Sequence, residues 1–354
     1  MKNPYIGLPN RQYWRTAVAD LPIFEIDGLW TPKFQIPKSA PISTFGSCFA
    51  QHIGVSLKAR GFSWLITERP PYGMSATSER EFNYGIFSCR TGSIYTTSLL
   101  RQWTEWALGG VHPPDESWEA DGRFYDPFRP IVEPGGFSSP DEVRRSRRET
   151  IDGFARAIKA SDIFVFTLGL TEQWTNHAEG HEYPMCPGTS VGSFNPHEHS
   201  FGNMNYEAVA KNLSAAIAMM RSANPSLRFI LTVSPVPLTA TFSMNHVLVA
   251  TMYSKSTLRA VAGDLAQQWE YVDYFPSYEI INSPVFRGTF FMPNQRNVAP
   301  FGVQFVMDQF FNCLAKTSGA PRSESVDPLL TTAKPAVKKT NEVCEEELLE
   351  AFAR

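Results

Sequence analysis

The stretch Ile163-Phe164-Val165-Phe166-Thr167-Leu168 is apolar on both of the faces that a strand alternates between. A strand of that kind must be covered on both sides, the condition of a strand inside a parallel sheet. Ahead of it, Ile151, Phe154, Ala155 and Ile158 recur at helical spacing. After it the pattern repeats. Tyr206, Val209, Leu213, Ile217 and Met220 mark a helix before the apolar run Arg228–Ser234. Leu258, Ala262, Leu265 and Trp269 mark another before Tyr271–Phe275, and Val303, Val306 and Phe310 mark a closing helix. This alternation predicts an α/β fold, a three-layer α/β/α sandwich around a doubly wound, mainly parallel sheet. Ligands of such sheets bind outside the carboxyl ends of the strands. Gly46-Ser47, Gly169–Glu172 and Ser234–Thr241 all fall at such ends.

A short β run, Ile42, Thr44 and Phe45, stops at Gly46, and helical spacing follows in Phe49, Ile53 and Leu57. Ser47 therefore stands at a strand-to-helix turn. Two roles fit a serine there: an N-cap bonding the free N–H groups of the first turn, or a nucleophile at the sheet edge facing oxyanion donors. Residues 61–67 read as a second strand, and Leu99, Leu100, Trp103 and Trp106 as a helix. Between them, Gly85 and Gly92 lie among small polar residues. That pattern suits a loop that brings backbone N–H groups to a ligand, and equally an ordinary glycine turn. Residues 109–146, rich in Gly, Pro and Asp, read as an irregular insertion of the sort that covers a site. The run Arg144-Arg145-Ser146-Arg147-Arg148 reads as a solvated helix start.

With 354 residues, 43% of them hydrophobic, the chain has material for one large α/β domain with extensions or for two small domains. A net charge of -3 supplies no basic field for nucleic acid. No run approaches the roughly 18 apolar residues of a membrane span. Residues 1–5 lack the apolar core of a secretion signal. The five cysteines (Cys48, Cys89, Cys186, Cys313, Cys344) show no metal-site spacing and read as reduced thiols, with a cytoplasmic location expected and no metal. Residues 1–36 read as an N-terminal arm packed on the domain, 37–316 as the α/β domain, and 317–354 as a flexible tail. The end of that tail, Glu345–Phe352, has the pattern of a short amphipathic helix.

Gly46-Ser47-Cys48-Phe49-Ala50 resembles the signature of the GSCFA family, which is related to the SGNH (GDSL-like) esterases and acyltransferases. Arg90–Thr96, Thr167–Trp174, Thr232–Pro237, Tyr253–Arg259 and Tyr274–Glu279 extend the resemblance in one order over most of residues 1–315. The resemblance implies Ser47 as a nucleophile that forms an acyl-enzyme without any cofactor. Its oxyanion donors would be the N–H groups of Ser47 and of Gly85 or Gly92, with Ser93 where many members carry Asn. Thr171, in Gly169-Leu170-Thr171-Glu172, stands for the oxyanion Asn of SGNH enzymes, and Glu172 orients a base or bonds the backbone. The implied substrate is a short acyl ester, such as an acetyl ester, of a carbohydrate.

One departure matters more. Where relatives carry an Asp-x-x-His segment, this chain has Asn294 and Asn297. An amide accepts no proton near neutral pH, so Asn297 cannot be a general base. His246, on the loop after the strand ending at Ser234, is the relocated candidate, followed by His177 and His181. His52 follows Ser47 too closely, and His197-Glu198-His199 reads as a solvated loop. Lys255 and Arg259, one helical turn apart, suit an anionic or glycan substrate, or ion pairs with Glu172 or Glu279. The expected function is a serine esterase or O-acyltransferase. The alternative is a relative that keeps the pocket and binds a glycan or acylated ligand with little turnover.

Overall fold

The computed structural model describes residues 3–318 and 344–353; the stretch 319–343 of the expected tail lies outside them. The described residues form two compact units, 3–36 with 275–318 and 37–274 with 344–353.

In the second unit the chain runs β1 (Ile42–Gly46), α1 (Ala50–Ala59), α2 (Ala76–Glu81), α3 (Thr97–Ala107), the hairpin β2 (Trp118–Ala120) and β3 (Arg123–Tyr125), and α4 (Pro140–Ala160). It continues through β4 (Ile163–Leu168), β5 (Glu172–Asn176), β6 (His181–Tyr183), β7 (His199–Asn203), α5 (Tyr206–Ala223), β8 (Arg228–Val233), α6 (Val247–Gln268) and β9 (Val272–Tyr274). Side-chain caps start the helices where the sequence supplies them. Thr96 accepts from Leu99 N–H ahead of α3, Ser139 from Glu142 N–H ahead of α4, and Asn205 from Ala208 N–H ahead of α5.

Strands β1, β4, β8 and β9 make one sheet in that order, every pair parallel, as the α/β reading expects. All six residues of β4 are buried. Phe45 stacks on Phe164 at 5.2 Å between ring centroids, and Phe154 of α4 meets Phe45 edge-on at 4.7 Å. Fully burying each such ring contributes about 1.5–3 kcal/mol.

On the free side of β1, Ile42 bridges Trp64 in parallel, so the spatial order is Trp64, β1, β4, β8, β9. That order reverses at β1, and the crevice outside the carboxyl ends of β1 and β4 is the switch point where such sheets bind ligands. The second strand expected at 61–67 shrinks to this bridge. Further along β1, Ser88 takes the edge instead: its N–H donates to Thr44 O (3.3 Å), and its Oγ accepts from Thr44 N–H (3.0 Å).

Two segments differ from the sequence reading. Residues 172–203 form an antiparallel sheet in the order β6, β5, β7. β6 has only three residues, and β5 (Glu172–Asn176) and β7 (His199–Asn203) each carry a single large apolar side chain, so no alternation registers. In the first half of α4, Arg147 is buried rather than solvated. Its guanidinium lies 3.0 Å from Asp126 and donates to the carbonyls of Pro114 and Glu116. Arg129 shares the same buried carboxylate at 2.8 Å.

The first unit pairs the arm with α7 (Ser277–Asn282) and α8 (Pro300–Ser318). Trp30 stacks on Phe310 and meets Phe275 edge-on, and Phe24 meets Phe290 and Phe305. These rings draw the arm to residues 275–318, where the sequence reading had kept 37–316 as one body. Among the described residues no helix is long and apolar enough to cross a membrane.

Gly46 carries the tightest approach in the sheet. Its φ is +129°, and a Cβ there would lie 2.3 Å from Thr167 O. Gly46→Ala is expected to lose about 3 kcal/mol or more, measured as a lower urea midpoint at unchanged slope.

Candidate active site

Ser47 leaves β1 with its N–H donating to Thr167 O (3.0 Å) and its carbonyl accepting from Ala50 N–H (2.9 Å). Helix α1 starts three residues on, with Phe49 as its N-cap and no side-chain cap bond. The hydroxyl is therefore not a helix cap. Ser47 is 2% exposed, and its Oγ has no hydrogen-bond partner among the described residues. Its N–H, expected as an oxyanion donor, is committed to β4.

Three segments converge on Gly169. A Cβ there would stand 3.1 Å from Ser47 Cβ, 3.2 Å from Tyr95 Cδ1 and 3.0 Å from Tyr95 O. Only a residue without a side chain lets the ends of β1 and β4 and the loop before α3 meet. The N–H groups of Gly169 and Leu170 both donate to Tyr95 O (3.0 and 2.9 Å), and Ile94 N–H donates to Gly46 O (2.9 Å). Lys255 donates from α6 to Gly169 O at 2.8 Å and is 1% exposed. It braces the strand end rather than facing a substrate.

Gly92 has a φ of +67°, a left-handed conformation that glycine adopts without steric cost, and it precedes the buried Ser93. Ser93 N–H donates to Glu345 Oε1 (3.1 Å), and the Tyr95 hydroxyl donates to Glu345 Oε2 (2.9 Å). Glu346 N–H donates in turn to the Tyr95 oxygen (3.3 Å), and Thr239 N–H donates to Glu346 Oε1 (2.7 Å). Burial first, then the neighbouring Cys344 and Glu345, pushes the Tyr95 phenol well above its ordinary value, so it stays a donor. The end of the expected flexible tail is thus seated here, its residues 345–352 forming a 3-10 helix.

Beside Tyr95 lies a cavity of about 470 Å³ with an aromatic wall of Trp174, Phe194 and Phe242. Glu182 faces it from β6. Thr96 Oγ1 donates to Glu182 Oε1, while Oε2 has no partner among the described residues. Burial raises this carboxyl to about 7, against the bonds from Ser98 and Thr96. Glu172, also on the cavity, is raised by burial in the same way and accepts from Thr241 Oγ1.

The remaining expected site residues are placed elsewhere or otherwise engaged. The Thr171 hydroxyl donates to Asn203 Oδ1 (2.7 Å), so its proton is not offered to an oxyanion. Gly85 is exposed, with open space where a Cβ would be. Arg259 lies over the Tyr274 ring at 4.0 Å. Asn297 belongs to the first unit, where Asn294 Oδ1 accepts its N–H (3.0 Å) in a tight turn.

His246 is the N-cap of α6, exposed, with Nδ1 accepting from Leu248 N–H (3.2 Å). A neutral imidazole has one acceptor nitrogen, so Nε2 then carries the hydrogen and cannot take one. His181 bonds Glu116 and Tyr183; His199 accepts from Asn195 N–H, and His52 packs edge-on against Phe49. Glu182, Tyr95 and Glu345 were missed as site residues. Tyr95 lies within the motif Arg90–Thr96, but neither glutamate has a local spacing that announces it.

The model of the GSCFA family matches residues 41–310, from the entry to β1 into α8. The chain belongs to the GSCFA family. No curated protein matches the sequence. Among solved structures, a crystal structure of an acetyl esterase mutant with acetate ion is similar at 13% identity and a TM-score of 0.32, covering 78% of this chain and 99% of that one. In this GSCFA protein the matched span holds Ser47, Ser93, Tyr95, Gly169 and His246, while residues 344–353 lie outside it.

The raised Glu182 carboxyl makes stability depend on pH. Between the ordinary glutamate value of about 4.3 and about 7, the folded chain keeps a proton that the unfolded chain has released. Stability therefore falls as pH rises through this window, by about 4 kcal/mol in all. Glu182→Gln is expected to lose that dependence, gaining on the wild type in urea denaturation at pH 8 relative to pH 5.

Proposed function

We propose that this protein is a serine ester hydrolase or O-acyltransferase of the SGNH type with Ser47 as its nucleophile. One observation carries the reading: a buried serine hydroxyl without a partner stands at the switch point of the sheet, flanked by the Tyr95 ring. A buried polar group left unpaired costs about 1–3 kcal/mol, a cost tolerated where the group is used. In the reaction Ser47 Oγ bonds to the acyl carbon, the bond to the alcohol oxygen breaks, and the alcohol leaves with a proton. Water or an acceptor hydroxyl then takes the acyl group from Ser47. Ser93 N–H and Tyr95 O–H, rather than Ser47 N–H and Thr171, serve as the donors for the developing oxyanion. Deprotonating Ser47 through His246 requires that ring to release its cap on α6.

No imidazole or carboxylate bonds Ser47 Oγ among the described residues, and this favours a second reading, a family member that holds an acylated or glycan ligand with little turnover. A fluorophosphonate probe and a panel of p-nitrophenyl esters separate the two. Labelling and hydrolysis that vanish in Ser47→Ala support the enzyme, and their absence across the panel supports the binding protein. A working general base contributes about 10²–10⁴-fold. His246→Ala is expected to change the labelling rate by less than about twofold; a larger loss restores His246 as the base.

A further inference from the structure

A carboxylate already lies in the site. Glu345 is 2% exposed, and its two oxygens are held by Ser93 N–H (3.1 Å) and Tyr95 O–H (2.9 Å). Burying a carboxylate is costly unless donors meet it. The pair of donors is set by parts of the fold independent of Glu345. Gly92 makes the left-handed turn before Ser93, and two N–H groups at the end of β4 hold the Tyr95 carbonyl. Tyr95 also lines the cavity of about 470 Å³, within the range that takes a whole small ligand and far larger than an acetyl group needs. Its aromatic wall of Trp174, Phe194 and Phe242, which belongs to the body of the fold and not to the seated segment, favours an apolar occupant. Glu182 adds one polar group, its free oxygen buried on the same wall.

We propose that Ser93 N–H, Tyr95 O–H and the adjoining cavity form a site for a carboxylate that carries a bulky apolar group, the acid released from an ester of that class, and that Glu345 occupies its polar end in the resting chain. The proposal deepens the esterase reading and rests on it for the word ester. It assigns the acyl group as larger and more apolar than acetyl, and it makes the C-terminal segment a competitor in cis. Ligand and Glu345 cannot hold the same two donors, so binding displaces the segment. Cys344 is 9% exposed with its Sγ 3.9 Å from the Tyr95 hydroxyl, and it reports that displacement.

The test uses the full chain carrying Ser47→Ala, so that no turnover intervenes, with octanoate and acetate as probes. Binding is read by tryptophan fluorescence, with Trp174 on the cavity wall, and by site-resolved alkylation of Cys344. Octanoate is expected to bind about tenfold or more tightly than acetate and to speed Cys344 alkylation. Adding Glu345→Ala is expected to tighten octanoate by about tenfold, and adding Tyr95→Phe to that variant to reverse most of the gain. Glu345→Gln, closer in shape, carries the test in the same direction if the alanine variant folds poorly. Equal affinity for the two acids, or octanoate affinity unmoved by removing Glu345, overturns the proposal. Fluorophosphonate labelling of the wild type reports separately: its failure beside normal octanoate binding sinks the esterase and leaves the site.

Discussion

The close approach of β1 to β4 is the constraint on which the rest of this structure depends. Parallel pairing in register sets Gly46 opposite Thr167, and the two backbones come so near that no side chain fits between them. The strand then ends with Ser47 N–H held by Thr167 O, which fixes where the hydroxyl stands before α1 begins. Gly169 repeats the device one step further along β4, admitting Ser47 and Tyr95 to the same small volume. Two glycines thus let the ends of β1 and β4 and the loop before α3 close together around Ser47.

The polar groups of the segments that meet at Gly169 are engaged with one another and leave the Ser47 hydroxyl without a bond among the described residues. Lys255 braces the carbonyl of Gly169 from α6. Ser93 N–H and Tyr95 O–H point at a carboxylate supplied by residue 345, more than two hundred residues away in sequence. Asn294 closes a turn by accepting the N–H groups of Arg296 and Asn297. That is the local chemistry expected of asparagine, and it serves backbone structure rather than proton transfer.

Much of the fold was legible because it is written in periodicity. The apolar run of β4, the helical spacing on α4, α5 and α6, and the turn at Gly46-Ser47 each report a local backbone geometry that residue type controls directly. The antiparallel strands β5, β6 and β7 were not legible, being too short and too mixed in polarity to register. Arg147 was misread for a related reason. A run of arginines at a helix start looks solvated until the insertion carrying Asp126 folds over it.

By itself, then, the sequence determined a parallel α/β core, a family motif at a strand-to-helix bend and asparagine at positions 294 and 297, all of which are matters of residue identity at near positions. Only the tertiary structure decided that Ser47 neither caps a helix nor bonds a histidine, that His246 caps α6, and that Glu345 lies across Tyr95. Those outcomes turn on which donors and acceptors meet through space once the strands have paired. Hydrogen bonds between distant segments leave no periodic trace in the chain that forms them.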